Sequence, residues 1–226
     1  MMKVLLLGGS GNLGKHLSLN MSERNIEFCS PTSQQCNLKK LHEIHFRNVD
    51  VVIHSAGFVN TTEAEKNPDE CITTNVLGTN NVVRMCRKLN KRLVYISSEY
   101  VFSGKNSPYT IQSGVDPVNV YGITKACGEL LVKTLNNYAI IRAPFIRDVA
   151  FNHPKAFSNQ YTSRQYVHQI TDNILDISLS DDIGIKHVVG KYQSVLDLAR
   201  ETKEDVEGIE VPENLKEVLP LELELL

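Results

Sequence analysis

The sequence predicts an α/β fold in which helices cover both faces of a doubly wound parallel sheet, with a small C-terminal lobe beyond it. Up to about residue 145, short apolar runs alternate with stretches of helical periodicity, as expected for successive βαβ units. The apolar runs are continuous rather than alternating, which is typical of strands buried on both faces. The chain has 226 residues, 42% hydrophobic and 22% charged, so one large domain with a small addition accounts for its length.

The predicted elements follow the chain in order. Strands are expected at residues 3–7, 26–29, 50–54, 92–96, 139–142 and 187–189. Helices are expected at residues 12–22, around 38–46, and at 68–89, 118–135, 169–179 and 194–201. The polar stretch 151–166 is predicted to be a loop region over a site, and the acidic tail 201–226 a solvated face with apolar anchors such as Leu219 and Leu221. We therefore divide the chain into an α/β domain, residues 1–146, and a reduced C-terminal lobe, residues 147–226.

Composition and charge argue against several classes of protein. The formal net charge is −2 and there is no long basic run, which disfavours broad binding to nucleic acids or anionic membranes. No apolar run approaches the roughly 18 residues of a membrane span. The short apolar start of the chain lacks the features of a signal peptide, so we expect a cytoplasmic protein. The five cysteines are scattered without a C-x-x-C pair, which argues against a disulfide framework and a zinc site, and we predict no metal ligands.

The stretch LLLGGSGNLGKHL places Gly8, Gly11 and Gly14 in a G-x-x-G-x-x-G pattern between the first strand and the first helix. Glycine permits the tight turn, lets a pyrophosphate approach the main chain and lets the helix pack close to the strand. The helix N-terminus then offers unpaired N–H groups and the positive end of its dipole to phosphate groups. The pattern indicates a dinucleotide site, with a tight turn that binds nothing as the alternative.

The end of the second strand bears on which dinucleotide is bound. A site for NAD usually has an acidic residue about twenty residues after the glycines, which holds the ribose 2′-hydroxyl. No Asp, Glu or Arg occurs between residues 28 and 38. The hydroxyls of Ser30, Thr32 and Ser33 would not repel a 2′-phosphate, and Lys39 or Lys40 could reach it. The sequence therefore favours NADP(H), with NAD(H) as the alternative.

Small residues end the third and fourth strands, at the edge where ligands bind in open parallel sheets. The third strand ends in Ser55-Ala56-Gly57, which would let a ribose and phosphates pass close to the backbone. The fourth strand ends in Ser97-Ser98, where a serine hydroxyl could hydrogen-bond a substrate carbonyl. A plain junction between strand and loop would account for either segment taken alone.

Tyr121 and Lys125 lie four residues apart and therefore share one face of the predicted helix 118–135. A free phenol has a pKa of about 10, and an adjacent cation favours its ionised form, so this pair suits proton transfer near neutral pH. Lys125 could also hydrogen-bond the ribose of a nicotinamide. Surface pairs with this spacing are common, but its occurrence together with the glycine turn and the serine pair favours catalysis.

Together these residues resemble the extended short-chain dehydrogenase/reductases, and within them the dTDP-4-dehydrorhamnose reductase branch of nucleotide-sugar enzymes. The matching segments, in the order of the family, are GGSGNLG, DVVIHSAG, NVLGT, RLVYISSEYVFSG, PVNVYGITKACGE and IIRAPF, within about residues 1–146. The resemblance implies an NAD(P)-binding Rossmann domain followed by a substrate-binding lobe. It also implies an activity, the NAD(P)H-dependent reduction of the 4-keto group of a nucleotide-linked deoxysugar.

The resemblance further implies roles for individual residues. Ser98 matches the position that polarises the substrate carbonyl, Tyr121 the proton donor and Lys125 its partner. The residues expected to bind the cofactor are Gly8, Gly11, Asn12, Leu13, Gly14, Asn37, Leu38, Ala56, Gly57, Phe58, Tyr121, Lys125 and Phe145. Glu99 stands at a substrate-proximal position where Asp is usual, and Asn37 also replaces a more usual Asp. Arg164, in NQYTSRQYVHQI, could hold a substrate diphosphate, with a plain surface arginine as the alternative.

Two other functions stay open. A nucleotide-sugar epimerase with tightly bound NAD⁺ would use the same residues without net consumption of cofactor. A non-catalytic, cofactor-binding regulatory subunit would share the fold, since a fold alone proves no activity, but it would have no need of the Tyr–Lys pair. The small residues Gly122, Ala126 and Gly128 suggest that their helix packs closely on a neighbouring subunit or on its own cofactor, and the resemblance implies a homodimer through this helix.

Overall fold

The computed structural model describes residues 2–146 and 150–226. In chain order its strands are β1 (Lys3–Leu7), β2 (Glu27–Cys29), β3 (Val51–His54), β4 (Arg92–Ser97), β5 (Tyr138–Arg142), β6 (Phe145–Ile146), β7 (Lys155–Phe157), β8 (Tyr161–Thr162), β9 (Gln165–Tyr166), β10 (Gly184–His187), β11 (Gln193–Ser194), β12 (Glu207–Ile209) and β13 (Glu222–Leu223). Its α-helices are α1 (Asn12–Glu23), α2 (Ile44–Arg47), α3 (Thr61–Lys66), α4 (Pro68–Ile72), α5 (Gly78–Leu89), α6 (Val120–Val132), α7 (Val167–Leu179) and α8 (Val195–Arg200). A π-helical turn, Thr73–Leu77, joins α4 to α5, and 3-10 turns span Glu99–Val101 and Glu213–Leu215.

The main sheet is parallel, with the strand order β10-β5-β4-β3-β1-β2. From β1 the chain moves outward to β2 and then crosses to β3 on the other side of β1, so the strand order reverses between β1 and β3. In open parallel sheets, ligands bind at the carboxyl ends of the strands beside such a reversal. This architecture confirms the predicted fold class.

Each central strand supplies side chains to two cores, which explains why its apolar run is continuous. In β1, Val4 and Leu6 belong to the core that contains α1 and α7, whereas Leu5 and Leu7 belong to the core that contains α5. All four leucine and valine side chains are buried. Burial of one such side chain is worth about 1.5–3 kcal/mol, so the sheet and its two helical layers are strongly coupled.

The strands from β1 to β5 lie within one residue of their predicted bounds. The predicted helix around 38–46 is wrong for most of its length, since α2 begins only at Ile44. Asn37 forms a turn instead, because its side-chain oxygen accepts a hydrogen bond from Lys39 N at 2.9 Å and its carbonyl accepts one from Lys40 N at 2.9 Å. The strand expected at 187–189 lies at Gly184–His187.

The stretch 151–166 is not the loop that the sequence predicts. It contains three short strands that pair with distant parts of the chain: β7 with β12, β8 with β11 and β13, and β9 with β6. The acidic tail is held by Leu223 and Leu225, which are buried, whereas the predicted anchors Leu219 and Leu221 are only half-buried. Strands of two or three residues show no periodicity, so the sequence pattern could not reveal them.

The residues after 150 also contribute to the main sheet. α7 packs on α1, and β10 pairs with β5 as a further parallel strand. The sheet therefore includes residues on both sides of the predicted boundary at 146, and the division into two domains stays a prediction. Across the described part of the chain, no helix combines the length and apolar character needed to cross a bilayer.

Candidate active site

An open cavity of about 1160 Å³ runs along the carboxyl edge of the sheet, over the ends of β1, β3, β4 and β5. Small-molecule sites usually measure roughly 300–1,000 Å³, so this one has room for a dinucleotide and a second ligand. The residues predicted to bind cofactor or substrate all line it: Gly8, Gly11, Asn12, Leu13, Gly14, Asn37, Leu38, Ala56, Gly57, Phe58, Ser98, Glu99, Tyr121, Lys125, Phe145 and Arg164. The fold therefore brings the predicted residues to one place, while their individual roles stay predictions.

The glycine turn forms the floor of the cavity beside β1 and β3. Gly8 has a φ of +94°, and a Cβ there would lie 2.5 Å from Ala56 N, so no other residue fits. A Cβ on Gly14 would lie 2.1 Å from Gly8 O, which shows how closely α1 packs on the turn. A Cβ on Gly11 would approach only Gly8 O, at 3.3 Å, and would otherwise take up cavity space. This bare backbone at the start of α1 fits the pyrophosphate of a dinucleotide.

The segment after β2 lines the outer end of the cavity. Ser30 lies directly against the glycine turn, since a Cβ on Gly9 would come within 1.8 Å of Ser30 Oγ. Lys39 lines the cavity, whereas Lys40 lines a separate surface groove. A hydroxyl next to the turn and a lysine in the cavity lining are compatible with a 2′-phosphate.

A buried asparagine that the sequence did not single out by itself shapes the loop after β3. Asn75 accepts a hydrogen bond from Phe58 N at 2.7 Å and donates one to Phe58 O at 2.9 Å. Its amide also donates to Thr124 Oγ1 at 3.0 Å, on α6. Asn75 therefore fixes the Gly57–Phe58 turn that lines the cavity to the helix that carries Tyr121 and Lys125. The only signal for it was the segment NVLGT in the resemblance.

Helix α6 is positioned by its cap and by two glycines. Asn119 caps it, accepting a hydrogen bond from Gly122 N at 2.8 Å. A Cβ on Gly122 would lie 2.0 Å from Tyr100 O, and one on Gly128 would lie 2.2 Å from the hydroxyl of Tyr95. The small residues thus let α6 pack on its own sheet and on the 3-10 turn, which corrects the idea that they face a neighbouring subunit. Tyr121, at the first turn, opens onto the cavity.

Lys125, one helical turn after Tyr121 on α6, is almost completely buried. Its ammonium group donates a hydrogen bond to Ile96 O at 2.6 Å and lies 4.1 Å from the centre of the Tyr95 ring. Burial lowers the pKa of Lys125 to about 7, although the carboxylate of Glu129 opposes that effect. The predicted partner of Tyr121 is therefore a buried amine with a pKa of about 7. The spacing in the sequence alone did not reveal this burial.

Ser98 follows β4 and caps the 3-10 turn, since its hydroxyl oxygen accepts a hydrogen bond from Tyr100 N at 3.2 Å. The ring of Tyr100 packs edge-on against the ring of Tyr121, with 6.1 Å between centres. Because Ser98, Tyr121 and Lys125 all line the cavity, a carbonyl bound there could meet a hydroxyl donor, a phenol and a cation.

Glu99 and Arg164, two of the three predicted substrate residues, bind each other. Arg164 donates from Nε to Glu99, and its Nη2 donates to the Tyr100 hydroxyl at 2.9 Å. The other oxygen of Glu99 accepts from Thr162 Oγ1 at 2.7 Å. Burial disfavours the charged form of Arg164, but Glu99 and Tyr100 outweigh burial, and the pKa of Arg164 lies above its usual value. The pair joins the turn after β4 to the segment between β8 and β9, so Arg164 is not a plain surface residue.

A second buried ion pair lies under the site. Arg142 donates from Nε and Nη2 to the two oxygens of Glu129, at 2.9 and 2.8 Å, and Ser97 Oγ donates to Glu129 at 2.6 Å. Sequence analysis did not identify this cluster, although Glu129 follows Lys125 by one helical turn. Phe151, Asn152 and His153 also line the cavity, as expected for the start of the stretch predicted to lie over a site, although none of them was singled out.

Comparisons with known proteins agree with this geometry. The model of the family described as the RmlD substrate binding domain matches residues 2–176. The dTDP-4-dehydrorhamnose reductase of Mycolicibacterium smegmatis is 29% identical over 134 residues, which cover 58% of this chain and 41% of that protein. Methionine adenosyltransferase 2 subunit beta of Rattus norvegicus is 31% identical over 156 residues, covering 64% of this chain and 47% of that protein. The chain spans about half the length of the curated relatives it matches.

Solved structures extend the likeness over the whole chain. The dTDP-4-dehydrorhamnose reductase of Bacillus anthracis in complex with NADP has a TM-score of 0.87 at 22% identity, covering 100% of this chain and 90% of that one. At such low identity the likeness shows the fold alone. It places the C-terminal segments of this chain, as well as the parallel sheet, within a known architecture.

Proposed function

Because this chain belongs to the RmlD substrate binding domain family, we propose that it is an NAD(P)H-dependent reductase of the 4-keto group of a nucleotide-linked deoxysugar. The observation that carries the proposal is that one cavity contains both the bare glycine turn and the set Ser98, Tyr121 and Lys125. The glycine turn is needed to bind a dinucleotide, and the three side chains are needed to protonate the oxygen of a carbonyl as it is reduced. We class the protein with the extended short-chain dehydrogenase/reductases on the same grounds.

The chain's own residues would share the chemistry as follows. The cofactor, when bound, supplies a hydride. Ser98 donates a hydrogen bond to the substrate carbonyl oxygen, and Tyr121 transfers its hydroxyl proton to that oxygen as negative charge develops there. Lys125, fixed by Ile96 O, stabilises the resulting phenolate by its charge and holds the cofactor ribose by hydrogen bonding. Gly8, Gly11 and Gly14 would hold the pyrophosphate, and Phe145 would lie beside the nicotinamide.

The substrate proposal is supported by the reductases among the relatives. The dTDP-4-dehydrorhamnose reductase of Mycolicibacterium smegmatis matches 58% of this chain at 29% identity. The cofactor is NADPH in this proposal, with NADH as the alternative, because Ser30 lies beside the glycine turn where an acid would favour NADH. The protein acts in the cytoplasm in this account, in line with the composition.

One observation favours a second function. Methionine adenosyltransferase 2 subunit beta is at least as similar in identity as the reductases, so this chain could instead be a subunit of a larger enzyme that binds the cofactor without using it. Turnover distinguishes the two, because a regulatory subunit would bind NADPH yet reduce no keto sugar. Retention of Tyr121 and Lys125 in the cavity supports the reductase.

We also propose a homodimer through α6. Ile123 and Leu130 are 48% and 60% exposed and share one helical face with Cys127 between them, so an apolar stripe faces away from the sheet. Sedimentation equilibrium should show a dimer, and Ile123→Lys with Leu130→Lys should give monomers that keep their fold. A wild-type monomer at micromolar concentration would refute this assembly.

Nicotinamide fluorescence during titration with NADPH and NADH tests the proposal. We expect saturable binding of both, with NADPH bound more tightly, and a reversed preference in Ser30→Asp, because the acid repels the 2′-phosphate. Ser22→Asp, at an exposed position near the end of α1, serves as the matched control. If the folded protein binds neither NADPH nor NADH, the proposed reductase function is refuted.

A further inference from the structure

The buried cluster of Ser97, Glu129 and Arg142 connects the three elements that carry the proposed active site. The side chains of Glu129 and Arg142 are each 1% exposed, and Ser97 is also buried. Ser97 is the last residue of β4 and directly precedes Ser98. Glu129 lies on α6 one turn after Lys125, and Arg142 ends β5, just before the segment that contains Phe145. The carboxylate of Glu129 therefore links α6 to the carboxyl ends of β4 and β5.

The catalytic helix and β4 are joined at two successive points. Lys125 Nζ donates to Ile96 O at 2.6 Å, and one residue further along the strand Ser97 Oγ donates to Glu129 at 2.6 Å. These two hydrogen bonds fix both the distance and the register between Ser98 and the face of α6 that carries Tyr121. A displacement of about 1 Å in such a constellation can cost about 100-fold in rate.

Packing alone does not require an ion pair here. Replacing a buried ion pair by apolar residues of similar volume is often neutral or stabilising. Stability of the fold therefore does not by itself explain why Glu129 and Arg142 are charged. The carboxylate of Glu129 accepts hydrogen bonds from all three donors around it, two from Arg142 and one from Ser97. These three hydrogen bonds fix the position of the Glu129 side chain.

We propose that Glu129 is a positioning residue, which through Ser97 and Arg142 holds Ser98 in register with Tyr121 and Lys125. The inference rests on the proposed function and assigns a role to residues outside the predicted site. An ion pair elsewhere in the sheet would stabilise the fold equally well. It would not fix the positions of the Ser98 hydroxyl, the Tyr121 phenol and the Lys125 amine relative to one another.

Glu129 also contributes a carboxylate to the surroundings of Lys125, where it raises the pKa of the amine. The titratable groups around that amine are Tyr121 and Glu129 on its own helix, Tyr95 on β4, His54 on β3 and Cys71 on α4. Burial lowers the pKa of Lys125 to about 7, and among these groups Glu129 acts most strongly to raise it. Removing the carboxylate should therefore lower that pKa further.

The test compares Ser97→Ala, Glu129→Gln and wild type as full chains. Ser97→Ala removes a single hydroxyl, so it keeps the ion pair and the fold even if Glu129→Gln does not. Arg92→Lys is the matched control, because Arg92 is a buried arginine at the other end of β4 and holds Ile177 O and Asp182 O near the end of α7. The measurements are unfolding in urea, the Kd for NADPH, kcat and KM with a dTDP-4-keto-6-deoxysugar, and the titration midpoint of Lys125 by NMR of ¹³Cε-labelled lysine, assigned with Lys125→Met.

We expect kcat to fall by about 10-fold or more in Ser97→Ala and Glu129→Gln, while the Kd for NADPH changes by less than about 3-fold. The Lys125 midpoint should fall in Glu129→Gln and stay in place in Arg92→Lys. Wild-type kcat in Ser97→Ala, an unchanged Lys125 midpoint in Glu129→Gln, or an equal loss of kcat in Arg92→Lys would each overturn the proposal. If wild type itself lacks turnover, the reductase proposal fails, whereas the Lys125 midpoint still decides whether Glu129 governs that amine.

Discussion

Lys125 shows how far a residue pattern can predict a site. The four-residue spacing to Tyr121 correctly placed both side chains on one helix and at one cavity. The spacing could not show that the amine is buried against Ile96 O and the Tyr95 ring, because both contacts come from a strand about 30 residues away in sequence. Pattern predicts which residues meet when they share an element, but burial and its effect on a pKa depend on tertiary packing.

His54 gives a prediction about stability at low pH. Burial, with a smaller effect of Lys125, lowers the pKa of His54 to about 3, so the folded protein keeps this ring neutral. Below about pH 6.5 the unfolded chain binds a proton that the folded chain does not, and stability falls as the pH drops towards 3. Between pH 7 and pH 5 the histidine should account for about 2 kcal/mol of lost stability.

Urea unfolding of wild type and His54→Gln at pH 7 and pH 5 measures this effect. The variant should lose about 2 kcal/mol less than wild type over that interval. His42→Gln is the matched control, because it removes an exposed histidine. Equal losses in wild type and His54→Gln would show that His54 does not resist protonation in the fold.

At the scale of elements, strands buried on both faces were predictable and short pairings were not. The continuous apolar run of β1 gave its bounds, since each of its side chains enters one of two cores. β8 has two residues and depends on β11 and β13, which lie 30 to 60 residues later in the chain, so nothing local marks it. The same limit hid Asn75, whose partners Phe58 and Thr124 lie on other elements.

Two glycines of the turn are expected to differ in what they contribute, Gly14 to the stability of the fold and Gly11 to ligand binding. Gly14→Ala places a methyl group 2.1 Å from Gly8 O and should lower the melting temperature markedly, because backbone must shift. Gly11→Ala meets Gly8 O at 3.3 Å and should melt close to wild type, yet bind NADPH at least about 10-fold more weakly, because its methyl group occupies cavity space. Thermal melts and NADPH fluorescence check both. A Gly11→Ala variant with wild-type affinity would mean that the pyrophosphate does not lie on this turn.

At the scale of the whole molecule, the C-terminal segments are tied to the sheet across the cavity. Glu99 is 2% exposed and receives hydrogen bonds from Arg164 and Thr162, both in the segment that includes β8 and β9. Residues in that segment looked irregular in sequence, and the pairing of Glu99 with Arg164 was not foreseen, because each was expected to face a substrate. The segment that includes β8 and β9 is therefore joined to the end of β4 by an ion pair and a hydrogen bond.

Breaking that pair should be costly. Arg164→Met leaves a buried carboxylate without its cation and should lower the free energy of unfolding by about 3 kcal/mol. Adding Glu99→Gln should restore part of the loss, because no unpaired charge is then left buried. Urea unfolding of the two single variants and the double variant measures the coupling, and Lys155→Met, which breaks an exposed pair with Glu207, is the control. Additive losses would show that Glu99 and Arg164 do not stabilise each other in the fold.

The most direct test of the reductase is loss of NADPH absorbance at 340 nm after a dTDP-4-keto-6-deoxysugar is added to wild type and to Tyr121→Phe. The account predicts one NADPH consumed per sugar reduced by wild type, and a rate at least about 100-fold lower in Tyr121→Phe with NADPH affinity retained, because only the proton donor is lost. No NADPH consumption by a wild-type protein that binds the cofactor, or equal rates in the two proteins, would contradict it.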